Sequence, residues 1–129
     1  MSHSVDIKTC FRNIDNLLEQ FSSRGWMIER DTTCRTYPTD PRRNEVHKYV
    51  ARNPKNGGYD VGIGVDNTGN AFFVCDFFDR SIEEQLGKDL KSVKQGYSLA
   101  EIKKFMYEED LDYQVKELNT GELVVIAEK

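Results

Sequence analysis

The chain has 129 residues, 38% of them apolar and 31% charged, and its 18 basic and 22 acidic residues give a formal net charge of −4. That length supports one hydrophobic core, so a single α+β domain over residues 1–129 is expected. An aromatic content of 11% excludes a disordered chain, and the negative balance argues against a protein that grips duplex nucleic acid over its whole surface.

Met1-Ser2-His3-Ser4 has neither the basic nor the apolar region of a signal peptide. The longest apolar runs, 71–75 and 123–127, fall well short of the roughly 18–20 residues of a membrane span. Cys10, Cys34 and Cys75 are odd in number and contain no CxxC pair. These features point to a reducing, cytoplasmic setting and structural thiols, without a zinc site.

Along the chain, residues 5–11 alternate loosely, with Val5, Ile7, Thr9 and Phe11 on one face of a strand. Ile14, Leu17, Leu18 and Phe21 then form a helical stripe, with Asn13 as its cap and Gly25 at its end. A second strand covers 26–35. Residues 36–43, with Pro38 and Pro41, form a loop, and a short strand over 45–52 places Val46, Lys48 and Val50 on one face. A turn at 54–58 precedes the strictly alternating strand 59–65, a second turn at 66–70, and the strand 71–78, apolar on both faces save Asp76. Ser81 with Glu84 makes a capping box for a helix carrying Ile82, Leu86, Leu90, Val93 and Tyr97. Ser98 with Glu101 makes another, ahead of Ile102, Phe105 and Met106. Strands at 113–118 and 122–128 close the chain. The expected order is β-α-β-β-β-β-α-α-β-β, a mainly antiparallel sheet with helices on one face. Two stretches echo each other: 59–74, through Asn67-Thr68-Gly69, and 113–126, through Asn119-Thr120-Gly121. Convergence on a good hairpin turn accounts for this more simply than duplication.

Gly62, Gly64 and Gly69 lie within a strand and its hairpin turn, not at a strand-to-helix junction, so they are no dinucleotide fingerprint. Gly62 and Gly64 read as positions of close approach on one side of the sheet. Residues 35–55 hold six basic residues against Asp40 and Glu45, a net +4 that leaves −8 elsewhere. Arg35, Tyr37, Arg42, Arg43, His47, Lys48 and Arg52 are therefore candidates for a phosphate or other anion site, the guanidinium groups for bidentate contacts and Tyr37, with the interleaved Tyr49, for stacking. The competing reading is a solvated loop and an edge strand whose charges prevent edge pairing. Asp76 is the candidate for a perturbed carboxylate, against the simpler reading of a strand end in water. No residue is placed by sequence to complete a catalytic set, and His3 and His47 are far apart. A copper or nickel chelate at Met1-Ser2-His3 would require Met1 to be retained, so no metal and no cofactor are expected.

Met1-Ser2-His3 with Ile7-Lys8-Thr9, Leu17-Leu18 and Gly25, Gly58-Tyr59-Asp60-Val61-Gly62, Val74 and Asp76, Gln95 and Tyr97, and a terminal hairpin around Gly121 resemble a small conserved family. It is a ycf-type domain of unknown function from algal plastids and cyanobacteria. The resemblance spans essentially the whole chain but departs over 35–56, which is longer and richer in Pro and Arg. It implies one compact domain, no established activity, and added weight on Asp60 and Asp76. Domains of this kind also occur as accessory or phage-encoded proteins, so it implies a binding role. Three functions follow as expectations. The first is a non-enzymatic binding or adaptor protein acting through a protein partner or self-association. The second is a protein that binds or sequesters a nucleotide, a nucleotide signal or an RNA end. The third is a small enzyme centred on Asp76 or Asp60.

Overall fold

The computed structural model describes residues 4–120 and 122–128; the Met1-Ser2-His3 opening, with its chelate reading, and Gly121 lie outside them. The protein is α+β with mainly antiparallel sheets, and its elements follow the expected order with a 3-10 turn added between the last two helices. Strands β1 (Val5–Lys8), β2 (Met27–Thr33), β3 (Val46–Arg52), β4 (Val61–Val65) and β5 (Ala71–Cys75) form one antiparallel sheet in the order β1-β5-β4-β3-β2. Helix α1 (Ile14–Ser22) links the two edge strands. Strand β3 is therefore interior, which corrects the edge-strand reading of its charges.

Strand β1 is shorter than the alternation implies. The Thr9 hydroxyl donates to Ala71 O at 2.6 Å and accepts from Phe11 N at 3.0 Å. Thr9 N still donates to Ala71 O at 3.2 Å and Phe11 O accepts from Ala71 N at 2.8 Å, so the chain bulges beside the start of β5 where the regular ladder ends. Helix α1 begins where expected, with Asn13 Oδ1 accepting from Asn16 N at 3.1 Å.

The register separates the two sheet faces. Ile63 lies opposite Phe73, Val61 opposite Ala51 and Val65 opposite Ala71, whereas Gly62 lies opposite Val74 and Gly64 opposite Phe72. The first set forms the apolar face under α1. Phe21 meets Phe73 edge-on at 5.9 Å and Trp26 at 6.2 Å, and Leu17, Phe21, Ile63 and Phe73 are fully buried. Each such side chain contributes about 1.5–3 kcal/mol by leaving water.

The expected helix over 81–97 is interrupted. Helix α2 (Arg80–Leu86) is capped by Asp79, whose Oδ1 accepts from Ser81 N at 2.9 Å and whose Oδ2 accepts from the Ser81 hydroxyl at 2.8 Å. Ser81 thus lies inside the helix rather than capping it. Gly87 (φ 83°, ψ 162°) ends α2, a 3-10 turn follows at Lys88–Leu90, and α3 (Lys91–Glu108) runs straight through Ser98 without a new start. Ile82, Leu86, Leu90 and Val93 are all buried across the break. Burial of the stripe survives a kink, so spacing alone places the residues without fixing helix continuity.

The chain divides into two compact units, the first ending at Val93 and the second beginning at Lys94. The first holds the five-stranded sheet with α1 and α2. The second holds most of α3 and the hairpin of β6 (Asp112–Glu117) and β7 (Leu123–Glu128). Both Asn-Thr-Gly hairpins close with the same bond: Asp66 N to Asn70 O and Leu118 N to Glu122 O, each 2.8 Å. No helix among the described residues is long and apolar enough to cross a membrane.

Candidate functional site

The second sheet face, bearing Gly62, Gly64 and Val74, is covered by the Pro-rich stretch after β2. Within that stretch Asp40 is 1% exposed. It accepts from Arg42 N at 2.8 Å, Ser4 N at 3.1 Å and the Ser4 hydroxyl at 2.7 Å. Backbone bonds from Asp40 N to Tyr37 O and Arg43 N to Asp40 O coil the segment around it. The loop is thus pinned to the start of β1, not loosely solvated. Burial opposes the charge on Asp40, but these donors outweigh it and hold the carboxyl below its usual range.

Asp60, with a side chain 0% exposed, joins three segments. It accepts from Arg35 Nη2 and Arg52 Nη1, both at 2.7 Å, and from the backbone N–H groups of Arg35 at 2.7 Å and Asn53 at 2.8 Å. Burial alone would raise its pKa; the Arg35, Asn53 and Arg52 donors lower it instead. Arg52 also reaches Glu29 at 2.7 Å. Arg42 holds Glu45 through two nitrogens at 2.7 and 2.8 Å, and Asp6 at 2.9 Å. Three of the candidate anion-binding arginines are therefore matched by carboxylates from β1, β2 and neighbouring loops. Such internal pairing leaves little of the local +4 to draw in a phosphate.

The remaining candidates are dispersed. Arg43 and Lys48 are exposed. Tyr37 meets the exposed Phe78 edge-on at 6.2 Å, and the Tyr49 face lies beneath Arg30 and Lys48, at 5.3 and 5.8 Å. His47 is 6% exposed and lies directly over Gly62, where an added Cβ would come within 2.7 Å of its ring. The Phe72 ring covers Gly64 in the same way. The close approach expected at these glycines is thus by side chains. Burial pushes the His47 pKa down and the Arg42 charge adds to this, outweighing the opposing carboxylates of Glu45, at 3.9 Å, and Asp6, so the imidazole is neutral.

A cavity of about 10 Å³ remains beneath the loop, lined by Ser4, Cys34, Arg42, His47, Asp60 and Asp76 among others. That is room for about one water, not for a phosphate group. Asp76, expected in water at a strand end, does lie just beyond β5 but is 3% exposed. Its Oδ1 accepts from Phe78 N at 2.9 Å, and its Oδ2 has no partner among the described residues. Cys34 has its pKa pushed up to about 12, first by burial and then by the Asp60 charge, so it is a thiol and not a nucleophile. No group of three or more His, Cys, Asp or Glu among the described residues could hold a metal ion.

Two organising residues have no apparent role in the linear pattern. Asn53 donates to Tyr59 O at 3.0 Å and Ser81 Oγ at 2.9 Å, and accepts from Gln85 at 2.9 Å. Asp79 also takes Tyr59 N at 2.6 Å. The Pro38-x-x-Pro41 spacing around Asp40 was the one local sign of a side-chain-stabilised turn.

The C-terminal unit presents a different surface. All six residues of β6 are exposed. Val115 lies opposite Val125 and Tyr113 opposite Ala127 on one face, with Ile126 and Val124 on the other. Tyr113, Val115, Leu118, Val124 and Ile126 are each 36–44% exposed. Ser98, Leu99, Ile102, Leu123 and Val125 border a cavity of about 310 Å³ between α3 and β7. Compared with family models, curated proteins and solved structures, the chain matches none.

Proposed function

We propose that this chain is a non-enzymatic binding protein, acting in the cytoplasm through a protein partner or self-association, and that its β6–β7 hairpin is the contact surface. The carrying observation is that hairpin's exposure: two strands with apolar side chains accessible on both faces. A two-stranded hairpin is marginally stable in water on its own, and contiguous exposed apolar surface marks interaction sites. The internal pairing of Arg35, Arg42 and Arg52 favours this reading over phosphate capture. Full engagement of Asp60 favours it over catalysis there. Membership of the plastid and cyanobacterial family is part of the proposal and brings no catalytic residue.

The test combines light-scattering mass with pull-down from a native host, for the parent chain and for Val124→Lys with Ile126→Lys. The parent is expected to form a defined oligomer or stoichiometric complex that the double variant loses while keeping its circular dichroism. A parent that stays monomeric and captures nothing would overturn the reading.

A further inference from the structure

We infer that the partner includes a second copy of this chain, joined edge to edge through β6 about a two-fold axis at Gln114; this deepens the binding reading and rests on it. The bond from Leu118 N to Glu122 O fixes the hydrogen-bonding phase of the hairpin. Residues directly opposite in an antiparallel pair alternate between bonded and non-bonded. With Leu118–Glu122 bonded, Lys116–Val124 and Gln114–Ile126 are bonded too. The backbone N–H and C=O groups of Tyr113, Val115 and Glu117 therefore point away from β7, along an edge that carries no strand among the described residues.

The first unit shows what belongs on such an edge. Its hairpin closes with the same bond at Asp66 and Asn70, and counting back from the turn places Val61 and Ile63 where Tyr113 and Val115 stand. Those two residues pair outward with Ala51 and Tyr49 of β3. Strand β6 has the same outward groups, and among the described residues no strand takes the place of β3 beside it.

A second β6 fits that edge, and charge selects its register. Only registers that set odd-numbered residues opposite odd-numbered ones join the outward backbone groups. Centring on Gln114 sets Tyr113 against Val115 and Asp112 against Lys116, each pair occurring twice by symmetry. Asp112 and Lys116 then occupy non-bonded pairs, where side chains lie closest. Centring on Tyr113 would face Asp112 with Gln114, and centring on Val115 would face it with Leu118, so neither pairs the charges. The result is a four-stranded sheet in which both β6 strands are interior, removing an edge that otherwise templates aggregation.

Light-scattering mass across a dilution series tests the register. The parent is expected to be a dimer at high concentration. Asp112→Lys alone sets lysine against lysine and Lys116→Asp alone sets aspartate against aspartate, so each should weaken dimerisation by about tenfold or more. Mixing the two variants restores both opposite-charge pairs and should return parent-like dimers, a recovery that misfolded variants could not give. Equal dimerisation of parent and single variants, or no recovery on mixing, would overturn the inference. A monomeric parent whose hairpin still captures a different, defined protein would overturn the self-pairing and leave the binding reading standing. A monomer that captures nothing would end both.

Discussion

Asp60 shows how much one carboxylate can organise, because its oxygens take side-chain and backbone donors from Arg35, Arg52 and Asn53. Asp60→Asn removes the charge while keeping the shape. It is expected to lower stability by about 3 kcal/mol, since Arg35 loses the carboxylate it pairs with and Arg52 keeps only Glu29; a loss of less than about 1 kcal/mol in unfolding free energy by urea titration would contradict that organising role. His47 sets a different dependence. Its folded pKa is depressed below 6.5, so the unfolded chain binds more protons and stability falls as pH drops below that value. The limiting slope is about 1.4 kcal/mol per pH unit, and thermal melts between pH 7.5 and 5.5 should lose this dependence in His47→Gln. The sequence marks Asp76 as a carboxylate in an apolar run, whereas Asp60 gains weight only from the family resemblance, and neither signal ranks the two. Arg35 and Arg52 reach Asp60 from 25 and 8 positions away, distances at which no local rule operates.

Among the elements, the β4–β5 hairpin was the most legible, since alternation and Asn-Thr-Gly chemistry agree there. Its glycines were legible as close approaches, though not their occupants. Gly62→Ala would force its methyl into the His47 ring, and overpacking of this kind costs about 1–3 kcal/mol. The loss should shrink when His47 is also shortened to Ala; additive losses in a double-mutant cycle would contradict the contact. The break between α2 and α3 was not legible. Ile82, Leu86, Leu90 and Val93 keep a helix-like spacing, and the core accepts them through a turn in which Asp89 and Leu90 have φ of 54° and 61°. Such left-handed values are costly away from glycine. Buried Leu90 supplies the packing that holds them.

At the scale of the molecule, segregation of charge along the sequence does not become segregation in space. The +4 of residues 35–55 is met by Asp6, Glu29 and Asp60 from other segments, so a count along the chain overstated the free positive field. Topology accounts for this: β1 and β2 lie at opposite edges of the sheet, yet each brings a carboxylate to an arginine of that stretch. The two faces of the five-stranded sheet are consequently held by different forces. One relies on aromatic and aliphatic packing beneath α1, the other on the charged sites Asp40 and Asp60. Both carboxyls have folded pKa values below 3.8, so their contribution is present above that pH and disappears as pH falls through the lower folded values. Acid should therefore peel the proline-rich cover from its face while Trp26, the single tryptophan and a neighbour of Phe21, keeps its buried emission. Urea, which weakens apolar burial as well, should release both faces together. Two denaturants would then trace two routes out of one native state.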